Sequence, residues 1–328
     1  HKAGKFYIAP SDSFGRCYSA SCQFTLFGNR KMAVKNQSEY SQILEHLLQL
    51  SRKELMQQGG NWHSLGGTTA SPDVIGTHAP GYDYLTRGRG LDKRILELLP
   101  LGINAPGTDT ESALAAPLRE FVETQIIPGL QAKQADAQTR HNAQMAAQDP
   151  SNPAQAENPA DIIQQVINNV RHNVEAFLKV LNSEQNRNAI LMFYSDSAGR
   201  LTSLKVRGLY LKPDGERPFA CLKWSNADEA ATDKSLLPGG VFSMRYSGGI
   251  KKSLEQRLDG FVMAHEGEFN AMRWLSDFMA VGTFEDPQNP QADEFPVVVA
   301  LGGSGNADAQ TLSRLSDKII LCRDNDTG

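Results

Sequence analysis

The sequence predicts an α/β (α+β) protein with a mixed β-sheet and packed helices in its C-terminal half. The chain has 328 residues, of which 40% are hydrophobic and 21% are charged, and this ordinary globular composition predicts a buried core. After residue 161 the pattern runs helix, hairpin, helix, strand, helix, strand, which is typical of helices packed on a sheet. Two continuous apolar runs, at 189–194 and 296–301, indicate buried strands of that sheet.

A smaller α+β region is expected over residues 1–130. Apolar residues around a Gly-Asn-Arg turn predict a hairpin, and leucines at helical spacing predict the helix that follows it. A stretch rich in glycine and turn residues then predicts irregular structure before two further helices. We expect the hairpin at 18–34, the first helix at 39–56 and the irregular stretch at 57–90. The two further helices are expected at 92–99 and 110–127.

A polar segment at 131–160 separates the two halves. Alanine, glutamine and asparagine replace nearly all large apolar residues there, so the segment has little to bury. Pro150, Pro153 and Pro159 interrupt any continuous helix. The sequence therefore predicts a linker or exposed excursion, with an N-terminal region at 1–130 and a C-terminal α/β domain at 161–328.

The C-terminal domain begins with a helix whose apolar residues recur at steps of three and four. A strong hairpin follows, because the apolar run at 189–194 is bounded by turn residues and the next segment alternates. The remaining pattern predicts two short strands, a long helix, a strand, a short helix and a last strand, at 219–224, 241–246, 250–281, 296–301, 306–315 and 319–322.

Charge and cysteine content limit the partners and the compartment. The net charge of −4 gives no broad basic field, so no dedicated nucleic-acid surface is predicted, although a single-stranded or nucleotide ligand stays open. No apolar run is long enough to cross a bilayer. Four cysteines without a Cys-x-x-Cys pair indicate a reducing, cytoplasmic setting, with delivery to another compartment or cell left open. No cofactor and no metal are predicted, and the expected partner is a protein or a small-molecule or nucleotide ligand.

Within 187–326, the hairpin, the helix that contains 264–272 and the final strand–loop–helix–strand resemble the zinc-dependent cytidine and nucleobase deaminase superfamily. In that family a helix carries a zinc ligand two residues before a proton-shuttling glutamate, and a later loop supplies Pro-Cys-x-x-Cys. With Glu268 as the shuttle, Glu266 falls at the first ligand and 303–307 at the second motif. Neither position offers a thiolate, so a tetrahedral zinc site is not expected. The resemblance implies a catalytically vacant scaffold, a pseudoenzyme kept for binding or interaction.

A Gly-rich turn is the second candidate feature of this half. It lies between an apolar strand and a helix, where backbone amides can be presented to a phosphate or carboxylate. The specific nucleotide-binding glycine fingerprints are absent, and a tight connection that needs glycine backbone angles is the plainer interpretation. The residues predicted to bind a ligand are Glu266, Glu268, Gly303, Ser304 and Gly305.

An alternative function rests on Cys22 and His63. A thiol becomes an effective nucleophile when a histidine lies within hydrogen-bonding reach, and distance along the chain does not prevent this in a fold. A cysteine at a strand start with a glycine-flanked histidine is similar to glutamine deamidases of the cytotoxic-necrotizing-factor type. This similarity implies a cysteine-dependent hydrolase or deamidase, as in bacterial effector-type enzymes. The two hypotheses differ in that only the second requires a reactive Cys22 thiol.

Overall fold

The structure of the protein is a computed structural model. The structure describes fourteen stretches of the chain, which are 6–8, 14–17, 25–27, 30–64, 80–108, 110–147, 158–209, 219–223, 232–233, 240–245, 249–257, 260–280, 296–303 and 309–322.

The chain begins with a small antiparallel sheet and a long helix. The sheet has the order β1-β2-β3, and its strands are β1 (Phe6–Ile8), β2 (Phe14–Cys17) and β3 (Thr25–Phe27). Helix α1 (Arg30–Ser64) follows directly. The predicted hairpin at 18–34 is therefore wrong in its bounds, because residues 30–34 already belong to α1. The predicted helix at 39–56 lies inside α1.

Further helices follow in the N-terminal half and around the polar segment. They are α2 (Pro80–Asp83) with a π-helical continuation (Tyr84–Gly88), α3 (Lys93–Leu98), α4 (Ala115–Phe121) with a π-helical continuation (Val122–Ile126), α5 (Ile127–Ala146) and α6 (Pro159–Leu181).

Two of these helices start at polar caps that the sequence supplies. The Asp92 carboxylate accepts a hydrogen bond from the Arg94 amide at 2.9 Å, at the start of α3. The Asn158 side chain accepts one from the Ala160 amide at 3.1 Å, and Pro159 takes the first helical position of α6. The predicted apolar stripe of α6 is buried from Val166 to Leu181.

An antiparallel five-stranded sheet contains the predicted hairpin. Its order is β4-β5-β6-β7-β8, and its strands are β4 (Leu101–Ile103), β5 (Ile190–Ser195), β6 (Leu201–Arg207), β7 (Phe219–Lys223) and β8 (Thr232–Asp233). Strand β4 precedes the polar segment in the chain and β5 follows it, so this sheet joins both halves. Residues 131–146 belong to α5. The division of the chain at 131–160 stays a prediction.

Strand β4 packs so closely against α1 that its central residue has to be a glycine. A Cβ built on Gly102 would lie 2.0 Å from the Ser51 Oγ and 2.8 Å from the Ser51 carbonyl carbon. We expect Gly102→Ala to lower the free energy of unfolding by about 1–3 kcal/mol, because the helix backbone must move. Chemical denaturation would measure this loss. The control is Gly129→Ala in α5, where nothing lies within 4 Å of the added Cβ and a small stabilisation is expected. Equal stabilities of the two variants would contradict the prediction.

Among its described residues, the last part of the chain forms a mixed four-stranded sheet with three helices. The elements are β9 (Phe242–Ser243), α7 (Gly249–Glu255), β10 (Val262–His265), α8 (Glu268–Ala280), β11 (Val297–Ala300), α9 (Ala309–Leu315) and β12 (Ile319–Cys322). The sheet order is β12-β10-β11-β9. Strand β10 pairs in parallel with both β11 and β12, whereas β9 is antiparallel to β11. The predicted α+β class with a mixed sheet in the C-terminal half is confirmed.

Two predictions about this half are wrong. The predicted helix at 250–281 is two helices separated by β10, because the short apolar run of that strand is buried between two parallel neighbours. The deaminase comparison also required the hairpin and the later strands to share one sheet. Instead, β5 and β6 belong to the five-stranded sheet, and an isolated bridge between Ser195 and Val241 joins the end of β5 to the chain entering β9.

The two sheets pack against a shared apolar cluster. Side chains of β4 and β5 on one side and of α8 and β11 on the other are fully or almost fully buried in this cluster, including Ile103, Met192, Met272 and Val298. Among the described residues, no helix is long and apolar enough to span a membrane. The packing brings the start of α8 and the ends of β10 and β11 close to β6, and this is where the candidate site lies.

Candidate functional site

The carboxyl ends of three parallel strands are aligned at one edge of the mixed sheet. In the register of the sheet, His265 at the end of β10 is paired with Ala300 of β11 and with Cys322 of β12. The chain runs from the central strand β10 to β11 on one side and then crosses to β12 on the other. Open α/β sheets bind ligands outside the carboxyl ends of their strands at such a reversal of strand order. This edge is therefore the expected location of a ligand site.

Glu266 lies at the centre of this edge. Its amide donates a hydrogen bond to the Cys322 carbonyl at 3.2 Å, and its carbonyl accepts one from the Gly303 amide at 3.0 Å. The residue is half-buried and precedes α8 by two positions. These two hydrogen bonds fix the backbone of Glu266 to the chain after β11 and to the end of β12. The position from which the Glu266 side chain extends is therefore defined relative to the sheet.

The Gly-rich turn after β11 borders the same edge. Gly302 and Gly303 have φ values of +79° and +145°, a region that side chains other than glycine rarely adopt. A Cβ on Gly303 would have no atom within 4 Å, so backbone conformation rather than space requires glycine there. Ser304 and Gly305, which the sequence also assigns to binding, lie outside the described residues.

Glu268, the first residue of α8, points into the protein rather than toward the edge. Its Oε1 accepts hydrogen bonds from the Lys205 ammonium, at 2.5 Å, and from the Tyr194 hydroxyl. Lys205 and Glu268 are only 7% and 3% exposed, and Tyr194 is fully buried. Both described side-chain partners of Glu268 belong to the protein's interior, and its assignment to ligand binding stays a prediction.

We refer to Tyr194, Lys205 and Glu268 as the buried triad. The electrostatics of this triad keep the Glu268 carboxylate charged. Burial raises the pKa of Glu268, but the nearby Lys205 charge and the hydrogen bonds from Lys205 and Tyr194 outweigh it, so the pKa of Glu268 is lowered. Burial, with the charge of Glu268 and the hydrogen bond to it, raises the pKa of Tyr194 well above its ordinary value. Tyr194 therefore stays a neutral donor, and Glu268 an ionised acceptor.

The triad also connects the two sheets at the candidate site. Tyr194 and Lys205 belong to β5 and β6, whereas Glu268 begins the helix that follows the central parallel strand. The Lys205 ammonium lies 3.5 Å from the Gly302 carbonyl oxygen, in the turn after β11. The buried pair thus fixes the start of α8 and the Gly-rich turn relative to the antiparallel sheet.

Lys205 and Tyr194 were missed in the sequence because they belong to a different element from Glu268, 63 and 74 residues away. One signal was present: Lys205 stands in the alternating segment predicted as the second strand of the hairpin, and a lysine that such a strand buries needs an acidic partner. That partner cannot be identified from local spacing, because the sheet that positions it is formed by distant segments.

The cysteine–histidine hypothesis involves residues about which the structure says little. Cys22 lies outside the described residues, and His63 lies near the end of α1 without a described side chain. Among the described thiols, Cys221 is buried and Cys322 is half-buried. Burial raises the pKa of Cys322, which makes its thiol less reactive. The pairing of Cys22 with His63 stays a prediction.

Within the described stretches, no group of three or more His, Cys, Asp or Glu side chains is arranged to hold a metal ion. Glu266 is an acidic side chain at the carboxyl edge itself, whereas Glu268 is already engaged by Lys205 and Tyr194.

Comparison with known proteins gives one structural similarity. No protein-family model and no curated protein matches the chain. Among solved structures, the chain is similar to the crystal structure of the Aquifex aeolicus primase (zinc-binding and RNA polymerase domains), with a TM-score of 0.41 and 13% identity. The similarity covers 98% of this chain and 62% of the primase chain, so this chain spans less than two thirds of that structure. The expected relationship to deaminases is wrong, because the hairpin of β5 and β6 and the later strands β10, β11 and β12 belong to two separate sheets.

Proposed function

We propose that this chain is a divalent-cation-dependent enzyme that acts on a phosphate ester, with Glu266 as a ligand of the cation. The observation that carries the proposal is the position of Glu266 between the ends of β11 and β12, hydrogen-bonded through its backbone to Cys322 and Gly303. Ligands of open α/β sheets bind at the carboxyl edge where the strand order reverses, so a carboxylate there is suited to bind the substrate or its metal ion.

Further carboxylates follow β12 in the sequence. Asp324 and Asp326 come two and four residues after Cys322, the last residue of that strand. Covalent geometry limits the distance from the Cα of Cys322 to that of Asp324 to about 7 Å. Both aspartates lie outside the described residues, so they enter the proposal through their place in the sequence alone. Mg²⁺ is bound in proteins by one or two carboxylates that are completed by water and substrate phosphates.

The surroundings of Glu266 favour an anionic substrate. Helix α8, of 13 residues, directs its N-terminus toward the same edge, and unpaired amides at a helix N-terminus attract phosphate groups. The Gly-rich turn leaves the backbone open at Gly303. A bound divalent cation would neutralise phosphate oxygens and help to activate a nucleophile. The contribution of the chain is to hold the carboxylates and to position the phosphate.

The binding hypothesis from the sequence contributes two residues to this proposal. Glu266 and Gly303 were both assigned to ligand binding, and both border the edge. The pseudoenzyme part of that hypothesis is set aside, since it depended on the deaminase relationship. The Cys22–His63 hydrolase stays a separate prediction, and inertness of the Cys22 thiol toward iodoacetamide in the folded protein would contradict it.

Direct measurement of Mn²⁺ binding to the full chain, by electron paramagnetic resonance, tests the proposal. Mn²⁺ accepts the same carboxylate and water ligands as Mg²⁺. We expect Glu266→Gln and the double variant Asp324→Asn/Asp326→Asn each to weaken Mn²⁺ binding by about tenfold or more, because even the loss of an outer-shell partner costs that much.

The matched control is Asp317→Asn. Asp317 is an exposed carboxylate just before β12, at the opposite, amino edge of the same sheet. Its removal changes the net charge by the same amount and should leave Mn²⁺ affinity unchanged. Wild-type affinity in Glu266→Gln would refute the assignment of Glu266 as a metal ligand.

A further inference from the structure

Two arginines from different elements share one aromatic ring beside the candidate site. The guanidinium carbon of Arg89 lies 4.2 Å from the centre of the Phe269 ring, and that of Arg207 lies 5.4 Å from it. Phe269 is the second residue of α8, and Arg207 is the last residue of β6. We refer to Arg89, Phe269 and Arg207 as the arginine platform.

The arginine platform is close to Glu266, the proposed metal ligand, because only a few residues separate them along α8 and β6. Phe269 follows Glu266 by three residues, within the first turn of α8. Arg207 follows Lys205 by two residues on β6, so the two side chains lie on the same face of the strand. Lys205 in turn contacts Glu268 and the Gly302 carbonyl. The platform therefore borders the same helix N-terminus that Glu266 precedes.

Neither arginine of the platform has a carboxylate within salt-bridge distance among the described residues. The Arg89 guanidinium donates to the Tyr84 hydroxyl at 2.9 and 2.7 Å, and that hydroxyl is a neutral acceptor. Other arginines of the same region do pair with an aspartate, at 3.8, 2.7 and 3.1 Å, namely Arg87 with Asp83, Arg94 with Asp92 and Arg273 with Asp277.

Arg207 has an additional unsatisfied group. Its Nε is buried and has no hydrogen-bond acceptor in the described part of the chain. A buried guanidinium nitrogen without an acceptor is costly, and such a group in a native protein is explained by a bound water, ion or ligand or by a functional role. An anion that accepts a hydrogen bond from this Nε would satisfy it and would offset the positive charge of the two arginines.

We propose that the arginine platform is the subsite that binds a phosphate group of the substrate. The inference rests on the proposed function for the identity of the anion. The planar fork of donors on a guanidinium matches phosphate oxygens in pairs, and Phe269 restricts the orientation of both side chains. A free nucleotide and the backbone of a nucleic acid both carry such phosphate groups. The experiment must therefore distinguish these two sources of the phosphate.

The test is binding in the presence of EDTA, so that no divalent cation contributes. The probes are inorganic pyrophosphate, adenosine triphosphate and a fluorescein-labelled single-stranded DNA oligonucleotide. We expect Arg207→Gln and Arg89→Gln each to weaken binding of at least one probe by about tenfold or more, the usual effect of losing a charged hydrogen bond. Arg89 is exposed, so its variant is expected to fold even if Arg207→Gln is destabilised.

The control is Arg171→Gln. Arg171 is an exposed arginine on α6 that pairs with Glu123, and its loss lowers the net charge equally. Weakened binding of the triphosphate alone would identify a free nucleotide, and weakened binding of the oligonucleotide would identify a nucleic-acid backbone. Each result supports the subsite. Binding of all probes within about twofold of wild type in both platform variants, or no binding of any probe by wild type, would overturn it.

Glu266→Gln separates this inference from the proposed function. In EDTA no metal contributes, and the variant removes a negative charge near the platform, so we expect anion binding to be as strong as in wild type or stronger, and not weaker. Loss of metal affinity in Glu266→Gln with intact probe binding in the arginine variants would refute the platform alone. Intact metal affinity in Glu266→Gln with weakened probe binding in the arginine variants would refute the metal site alone.

Discussion

Replacing Lys205 with methionine is expected to lower the free energy of unfolding by about 3–5 kcal/mol, the usual cost of removing one partner of a buried ion pair. Methionine fills a similar volume, so the loss reports the charge rather than a cavity. The Glu268 carboxylate would stay buried, 3% exposed, with the Tyr194 hydroxyl as its remaining side-chain donor among those described. Urea denaturation of the purified variant would measure the change.

A double-mutant cycle separates the ion pair from other roles of Lys205. Glu268→Gln keeps an acceptor for Tyr194 but removes the buried charge. In the Lys205→Met background we therefore expect Glu268→Gln to restore part of the lost stability. The surface control is Arg171→Met, which breaks a pair whose side chains are 47% and 50% exposed and should cost less than about 1 kcal/mol. A Lys205→Met loss no larger than this control would contradict the prediction.

The pH dependence of the same variant has a defined sign. The pKa of Glu268 is lowered from its ordinary value of 4.5, so the pair adds stability above that value and loses it as the pH falls through the lowered pKa. Without Lys205, unopposed burial should raise the pKa of Glu268 instead. The stability difference between wild type and Lys205→Met should therefore shrink as the pH falls, from above 4.5, where Glu268 of the variant becomes protonated, down through the lowered pKa of Glu268 in wild type.

The sequence predicted the elements whose signals are local. The hairpin of β5 and β6 has a long apolar run, a turn and an alternating partner, and the structure contains both strands. Helix α6 has both an apolar stripe and a polar cap. In each case hydrophobic period, cap and turn residues agree with one another within a single segment.

Strand β10 was missed because its signal is not local. The first three of its four residues, Val262–His265, are apolar, and Val262 also fits the stripe of the predicted helix at 250–281. Only pairing with β11 and β12, which lie 35 and 57 positions further along the chain, makes this segment a strand. A short apolar run cannot be assigned to helix or strand by periodicity alone.

The sequence predicted only part of the candidate site, because some of its contacts also come from distant segments of the chain. Glu266 was selected through the deaminase motif, although that relationship is wrong, and Gly303 through the Gly-rich turn between an apolar strand and a helix. The roles of Glu266 and Glu268 could not be separated, although they are two residues apart. The difference depends on Lys205 and Tyr194, which the antiparallel sheet brings to one of them only.

Activity of the Glu266→Gln variant is the second prediction with a large expected effect. If Glu266 holds a catalytic cation, Mg²⁺-dependent cleavage of a phosphate ester should fall by about 100-fold or more in kcat/KM, since such an ion contributes several kcal/mol to the transition state. Glutamine has nearly the same shape, and the backbone bonds to Cys322 and Gly303 do not depend on the side chain. The fold should therefore be retained, which thermal unfolding would verify.

The assay compares p-nitrophenyl phosphate, bis-p-nitrophenyl phosphate and adenosine triphosphate, with Mg²⁺ or Mn²⁺ and with EDTA. Asp317→Asn, at the amino edge of the sheet, is again the matched control and should keep wild-type activity. A metal-binding role further requires that excess Mn²⁺ restore part of the activity of Glu266→Gln, because a weakened site fills at higher concentration. Wild-type kcat/KM in Glu266→Gln, or activity that is equal in EDTA, would exclude this carboxylate from catalysis and leave the edge as a binding site for an anion alone.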